Sequence, residues 1–145
     1  MISRRFALIT LAAALSAGCA SKEDAGCPDC AATATVTPVA KTAVNAAGFP
    51  IRFPQGDAEI SACTYLIPPG AKLPVHKHPY PRFAYVMEGD LRVTLADGKT
   101  FDYHAGDFIA EVVDIWHSGE TTGKTPVRLL VIDATPPGVA NVVKR

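Results

Sequence analysis

Neither sign of charge dominates this chain. Fourteen basic and fourteen acidic side chains cancel to a formal net charge of zero. That argues against nucleic acid or an anionic membrane surface as an electrostatic partner. Charged residues are held to 19%, with 48% hydrophobic, which is the balance of a globular protein. Helical periodicity is also missing: after the first eighteen residues no stretch of ten or more follows a 3.6-residue repeat. Histidine is scarce, with four in 145 residues, so their placement carries information. A length of 145 suits one domain with appendages.

The chain opens with Arg4 and Arg5, a mostly apolar run over residues 6–15, and the small residues Ser16, Ala17 and Gly18. This is the layout of a bacterial secretory signal, residues 1–18. The apolar run is too short to span a bilayer as a helix. Cys19 follows at once, and L-S-A-G-C resembles a lipoprotein processing site. Cys19 is therefore expected to become the lipid-bearing N-terminus of a protein held at the periplasmic face of a membrane. The alternative is an ordinary cleaved signal and a soluble periplasmic protein.

Residues 19–48 show no apolar periodicity and read as a flexible tether. Within it lies Cys27-Pro28-Asp29-Cys30. Export favours a disulfide between Cys27 and Cys30. Two thiolates also suit a soft metal, while thioredoxin-like work needs a flanking strand and helix that the pattern lacks. Cys63 then has no partner and is expected to be a buried small hydrophobe.

The domain is expected over residues 49–136, with a tail at 137–145. Short strands are read at 51–53, 58–67, 73–78, 83–87, 91–95, 100–103, 108–113 and 127–133, separated by Gly and Pro turns. Asp97-Gly98 signals a hairpin. Residues 118–125 read as a loop. Apolar residues fall on both sides of 58–67, which suggests a strand covered on both faces. Many short strands with turn punctuation indicate an all-β sandwich or barrel.

His76 and His78, two apart among Pro74, Pro79 and Pro81, point the same way if the backbone is extended. Two imidazoles on one face are ready to share a divalent ion. His117 is the third candidate; His104, before a turn, reads as a surface residue. With Gly70, Gly89 and Gly106, these three histidines carry the spacing of the two motifs of the cupin family, which this chain resembles. Arg82 stands where the first motif has Glu. Val112, Asp114 and Thr121 stand where the second has Pro, Gly and Asn.

The resemblance implies a single cupin jelly-roll β-barrel, or double-stranded β-helix, and one divalent transition metal (Fe, Mn, Ni, Cu or Zn) on His76, His78 and His117. It implies action on a small molecule, either as a metal-dependent enzyme of dioxygenase or isomerase type or as a non-catalytic binding module. Edge-strand pairing into a homodimer is a further expectation.

Arg82 shares strand parity with the histidines. A guanidinium cannot ligate a metal, so it either binds an anionic ligand, pairs with a carboxylate, or ends a strand in solvent. Glu111 is the expected partner because it is a charge within an apolar strand; the other role for Glu111 is a displaced fourth ligand. Tyr80, Tyr85 and Trp116 are expected to pack, and Glu88 to be exposed at a turn.

Overall fold

A computed structural model describes residues 34–145; Cys19, Cys27 and Cys30 lie outside them. Among the described residues there is no helix. Nine strands run in order: β1 Glu59–Ile67, β2 His76–Lys77, β3 Arg82–Glu88, β4 Asp90–Leu95, β5 Thr100–His104, β6 Phe108–Ala110, β7 His117–Thr121, β8 Val127–Thr135 and β9 Val143–Lys144. They form two antiparallel sheets, one ordered β1-β8-β3-β6 and the other β5-β4-β7-β2-β9.

The inner faces meet in a core of Ile67, Ala84, Val86, Leu91, Ile109, Val127, Leu129 and Val131. Strand alternation produces it. In β3, Arg82, Ala84 and Val86 are buried, while Phe83 and Tyr85 lie on the other face. The Asp97-Gly98 turn closes β4 on β5, with Gly98 at φ 88° and the Lys99 N–H donating to Asp97 Oδ1 at 2.9 Å. Gly89 turns β3 into β4. Its φ is 83°, and a Cβ there would run into the Pro126 carbonyl, so only glycine fits this turn.

Several expectations change. Residues 51–53 form no strand; one bridge, Val44 to Pro50, stands there instead. The Ala46 N–H donates to Ala110 O at 2.8 Å, so the domain starts before residue 49. Residues 118–121, read as loop, belong to β7, whose central glycine and polar residues hide its strand character. The 73–78 strand shrinks to β2, since prolines on both sides cannot donate to a ladder.

β1 is an edge strand and mostly exposed, not covered on both faces. Cys63 is consequently exposed and unpaired with any described cysteine.

The expected C-terminal tail is part of the barrel. β9 pairs antiparallel with β2, Asn141 is buried, and the Arg145 N–H donates to Val75 O at 3.1 Å. Pro136-Pro137-Gly138 reads as a terminator, but it only turns the chain: Gly138 has φ 76° and the Val139 N–H donates to Pro136 O.

Candidate metal centre

The five-stranded sheet brings the three histidines together. His76 on β2 and His117 on β7 are direct partners in the ladder. His78 follows β2 and bridges Val113. The ring centroids lie 4.5–5.0 Å apart, and one ligating nitrogen from each falls within 4.8 Å of the others.

The backbone fixes which nitrogen that is. His76 Nδ1 lies 2.8 Å from Pro74 O, and His117 Nδ1 2.8 Å from Ile115 O, each carbonyl two residues earlier. His78 Nδ1 lies 2.7 Å from Asn141 O. A carbonyl can only accept, so each Nδ1 must carry a proton and donate. Each Nε2 is then left as a bare lone pair in the neutral ring, the form a metal requires. His78 Nε2 and His117 Nε2 are buried with no hydrogen-bond partner. Buried polar atoms are rarely left so. Convergent, orphaned imidazole nitrogens fit a divalent transition metal.

Glu111 faces this cluster from the four-stranded sheet. Its Oε2 stands 3.2 Å from His78 Nε2 and 3.4 Å from His117 Nε2, in neither case with hydrogen-bond geometry. Burial opposes its ionisation, yet the rings of His117 and His78 in their protonated, metal-free form and the charge of Arg82 outweigh that. They hold its carboxyl well below the usual carboxylate range. Burial lowers the His76 pKa against the Pro74 hydrogen bond. At His117 burial also acts downward, but Glu111 and the Ile115 carbonyl prevail and raise it.

Arg82 is buried and lines the same cavity, as strand parity predicts. Its partner is not Glu111. The guanidinium grips Asp133 by two bonds, Nε to Oδ1 and Nη2 to Oδ2, both 2.7 Å. β3 and β8 are neighbours with Arg82 and Asp133 in register, so the two face each other on the inner surface. Asn141 Nδ2 donates to the same Asp133 Oδ1 at 2.6 Å. Held in this way, Arg82 is a structural cation and not the free anion anchor its position suggested. Glu111 lies across from it on the other side, its N–H donating to Arg82 O at 2.9 Å. The chain thus carries a carboxylate beside the histidines, one strand over from where the motif has Glu.

Asp114 takes the place of the second motif's glycine and keeps its backbone. It is the one described non-glycine residue at positive φ, 57°, a conformation Asp tolerates better than most. Its N–H donates to His78 O at 2.8 Å and its carboxylate meets Lys77 Nζ at 2.9 Å. Thr121, at the Asn position, is buried.

A cavity of about 370 Å³ opens from His76 and His117, walled by Tyr65, Leu73, Leu91, Val93, Leu129 and Val131, with Val142 and Lys144 from the C-terminus. Sequence reasoning missed Asp133, Asn141, Lys144 and Tyr65. The alternation that buries Ile67 also turns Tyr65 inward and was available as a signal; nothing local marks the other three. Tyr80 and Tyr85 do not line the cavity. His104 sits outside it, exposed and paired with Asp90 at 2.7 Å. Glu88 is exposed at the end of β3, 3.8 Å from Arg128.

Residues 63–133 match the family described as the cupin domain. This is a cupin fold. Among solved structures, an oxalate decarboxylase of Bacillus subtilis studied for its Mn(II) centres is similar at 29% identity and a TM-score of 0.52, over 59% of this chain and 23% of that one. An oxalate decarboxylase of Lactobacillus farciminis in complex with formate is similar at 26% identity and a TM-score of 0.51, over 59% of this chain and 26% of that one. The chain therefore spans about a quarter of the length of those solved proteins. No curated protein matches it.

Proposed function

We propose that this chain is an envelope-held cupin enzyme in which His76, His78 and His117 bind one divalent transition metal, for chemistry of dioxygenase or isomerase type on a small acidic molecule. The convergence of three Nε2 lone pairs, each set by an Nδ1–H to a carbonyl, carries the reading. The Mn(II) centres of the similar Bacillus subtilis enzyme put manganese first among metals to test. A bound metal supplies a Lewis-acid template with positions left open for ligands.

The rest is done by the chain's own residues. The carbonyls of Pro74, Asn141 and Ile115 hold the imidazoles in one tautomer. Glu111, ionised beside His78 and His117, would complete the ligand set of a bound metal. The Arg82–Asp133 pair fixes the wall behind it, and the Leu and Val side chains limit water. The test is metal analysis of purified protein, followed by dioxygen uptake and turnover of a panel of small acids. Turnover by metal-loaded protein, lost in His→Ala variants, supports the enzyme.

One observation favours a second reading, a non-catalytic binding module. Among the described residues, Glu111 is the one acidic side chain lining the cavity. Full metal loading with no turnover across the panel selects that reading.

Cys19, in L-S-A-G-C, supports the envelope location. Cys19→Ser is expected to release the protein from the membrane fraction; an already soluble, lipid-free wild type overturns it. The exposed edge of β1, with Ile60 and Leu66 outward, supports pairing with a second copy, which sedimentation tests.

A further inference from the structure

β9 brings a cation to the histidines. In the β2–β9 ladder Lys144 is the direct partner of His76. Directly opposed residues project from the same face of a sheet, their Cβ atoms roughly 4.5–5.5 Å apart. His76 faces the cavity, and Lys144 and Val142 line it beside His76.

Two other lysines near β2 are already paired, Lys72 with Glu120 and Lys77 with Asp114. Lys144 has no carboxylate within ion-pair distance among the described residues, and Arg82 is committed to Asp133. Lys144 is thus the uncommitted cation of the cavity, set next to a metal-ligating position. An exposed lysine alone is ordinary surface. This one is placed by the ladder over a cavity whose remaining wall is apolar apart from Tyr65 and the charged Arg82 and Glu111.

That wall restricts the occupant. About 370 Å³ lies within the roughly 300–1,000 Å³ of small-ligand pockets. A two-carbon acid leaves most of the apolar surface uncovered. A molecule with several acid groups buries charge against Leu129 and Val131 without partners. We propose that the cavity takes a monocarboxylate with an aromatic or branched aliphatic body, its acid group between Lys144 and the histidines and its body on the Leu and Val wall. This rests on the reading of the cavity as a ligand site beside a metal, and it assigns the acid preference to β9.

The test is calorimetric titration of the purified chain with benzoate, acetate and benzamide, both metal-loaded and after chelator treatment. Metal content is measured separately. Benzoate is expected to bind more than about tenfold tighter than acetate, because the ring buries apolar area. It is also expected to bind about tenfold tighter than benzamide in the stripped protein, because a charge-assisted hydrogen bond to Lys144 distinguishes them. Lys144→Gln removes the second preference and keeps the first, with metal content unchanged; Lys144→Arg restores it.

Equal affinity for benzoate and acetate overturns the apolar body. An acid preference in stripped Lys144→Gln equal to that of the wild type overturns the role of Lys144. A wild type that takes up no metal yet shows both preferences sinks the proposed function and leaves this inference standing. A metal-loaded wild type showing neither does the reverse.

Discussion

The two walls of the site are held by different means. The histidine wall, on the five-stranded sheet, is fixed by backbone: every Nδ1 donates to a main-chain carbonyl. The opposite wall, on the four-stranded sheet, is fixed by side chains: Arg82 to Asp133, with Asn141 on the same carboxylate. Substitution cannot remove a carbonyl, so the first wall tolerates sequence change around its ligands. The second depends on three particular residues spread from position 82 to position 141. The metal ligands should therefore be separable from the stability of the fold, and the ionic wall should not.

Asp133→Ala breaks that contrast most severely. It leaves the Arg82 guanidinium buried without its bidentate partner. The expected loss is on the order of 3–5 kcal/mol, read by denaturant unfolding. The double variant Arg82→Leu with Asp133→Leu is expected to cost less than the sum of the single changes, because it removes both charges together. Additive costs would show that the pair is not a unit.

Asn141 separates the two means within one residue. Its carbonyl serves His78, and its side chain serves Asp133 and the Tyr80 backbone. Asn141→Ala is expected to cost roughly 1–3 kcal/mol for unsatisfied buried groups while metal content stays near that of the wild type. Ending the chain at Gly138 takes the carbonyl as well, so metal content should fall. Equal metal content in the two variants contradicts a role for the carbonyl.

The same difference explains what could be read from the sequence. His76 and His78 were legible because spacing on a strand fixes their direction, His117 because it falls at the second motif's histidine in the resemblance, and backbone carbonyls are available to any sequence. Arg82 was legible as inward-facing, by parity with His76 and His78. Its partner was not, because Asp133 meets it through the β3–β8 register, fifty-one residues away, and no local pattern encodes that register. Glu111 was noticed as a charge in an apolar strand. Its place beside the histidines also depends on pairing, here of β6 with β3. β9 escaped notice because two residues show no period, and because a Pro-Pro-Gly turn reads as an end.

Glu111 sharpens the comparison through pH. In the metal-free protein it helps hold His117 above its ordinary 6.5. A proton there competes with metal, so affinity should strengthen as pH rises through that raised value and fall as pH drops below it. Glu111→Gln should move the His117 midpoint down, measurable by NMR titration of the imidazole. An unmoved midpoint would show that Glu111 does not set it.

The smallest effect is expected at Asp114. Asp114→Gly relieves a positive φ and loses the Lys77 pair, an exposed interaction worth about 0–1 kcal/mol. The net change in stability should stay within about 1 kcal/mol, with metal content intact. A larger loss would make the Asp114 side chain part of the histidine wall.

Metal content bears most directly on the central claim that three backbone-held imidazoles form one metal site. Protein purified without added metal is analysed by plasma mass spectrometry, alongside His76→Ala, His78→Ala and His117→Ala, each checked for a folded β-domain by circular dichroism. About one divalent transition metal per chain is expected in the wild type, with a sharp loss in every folded variant. A metal-free wild type that takes none up on addition, or a variant that keeps full occupancy, contradicts it.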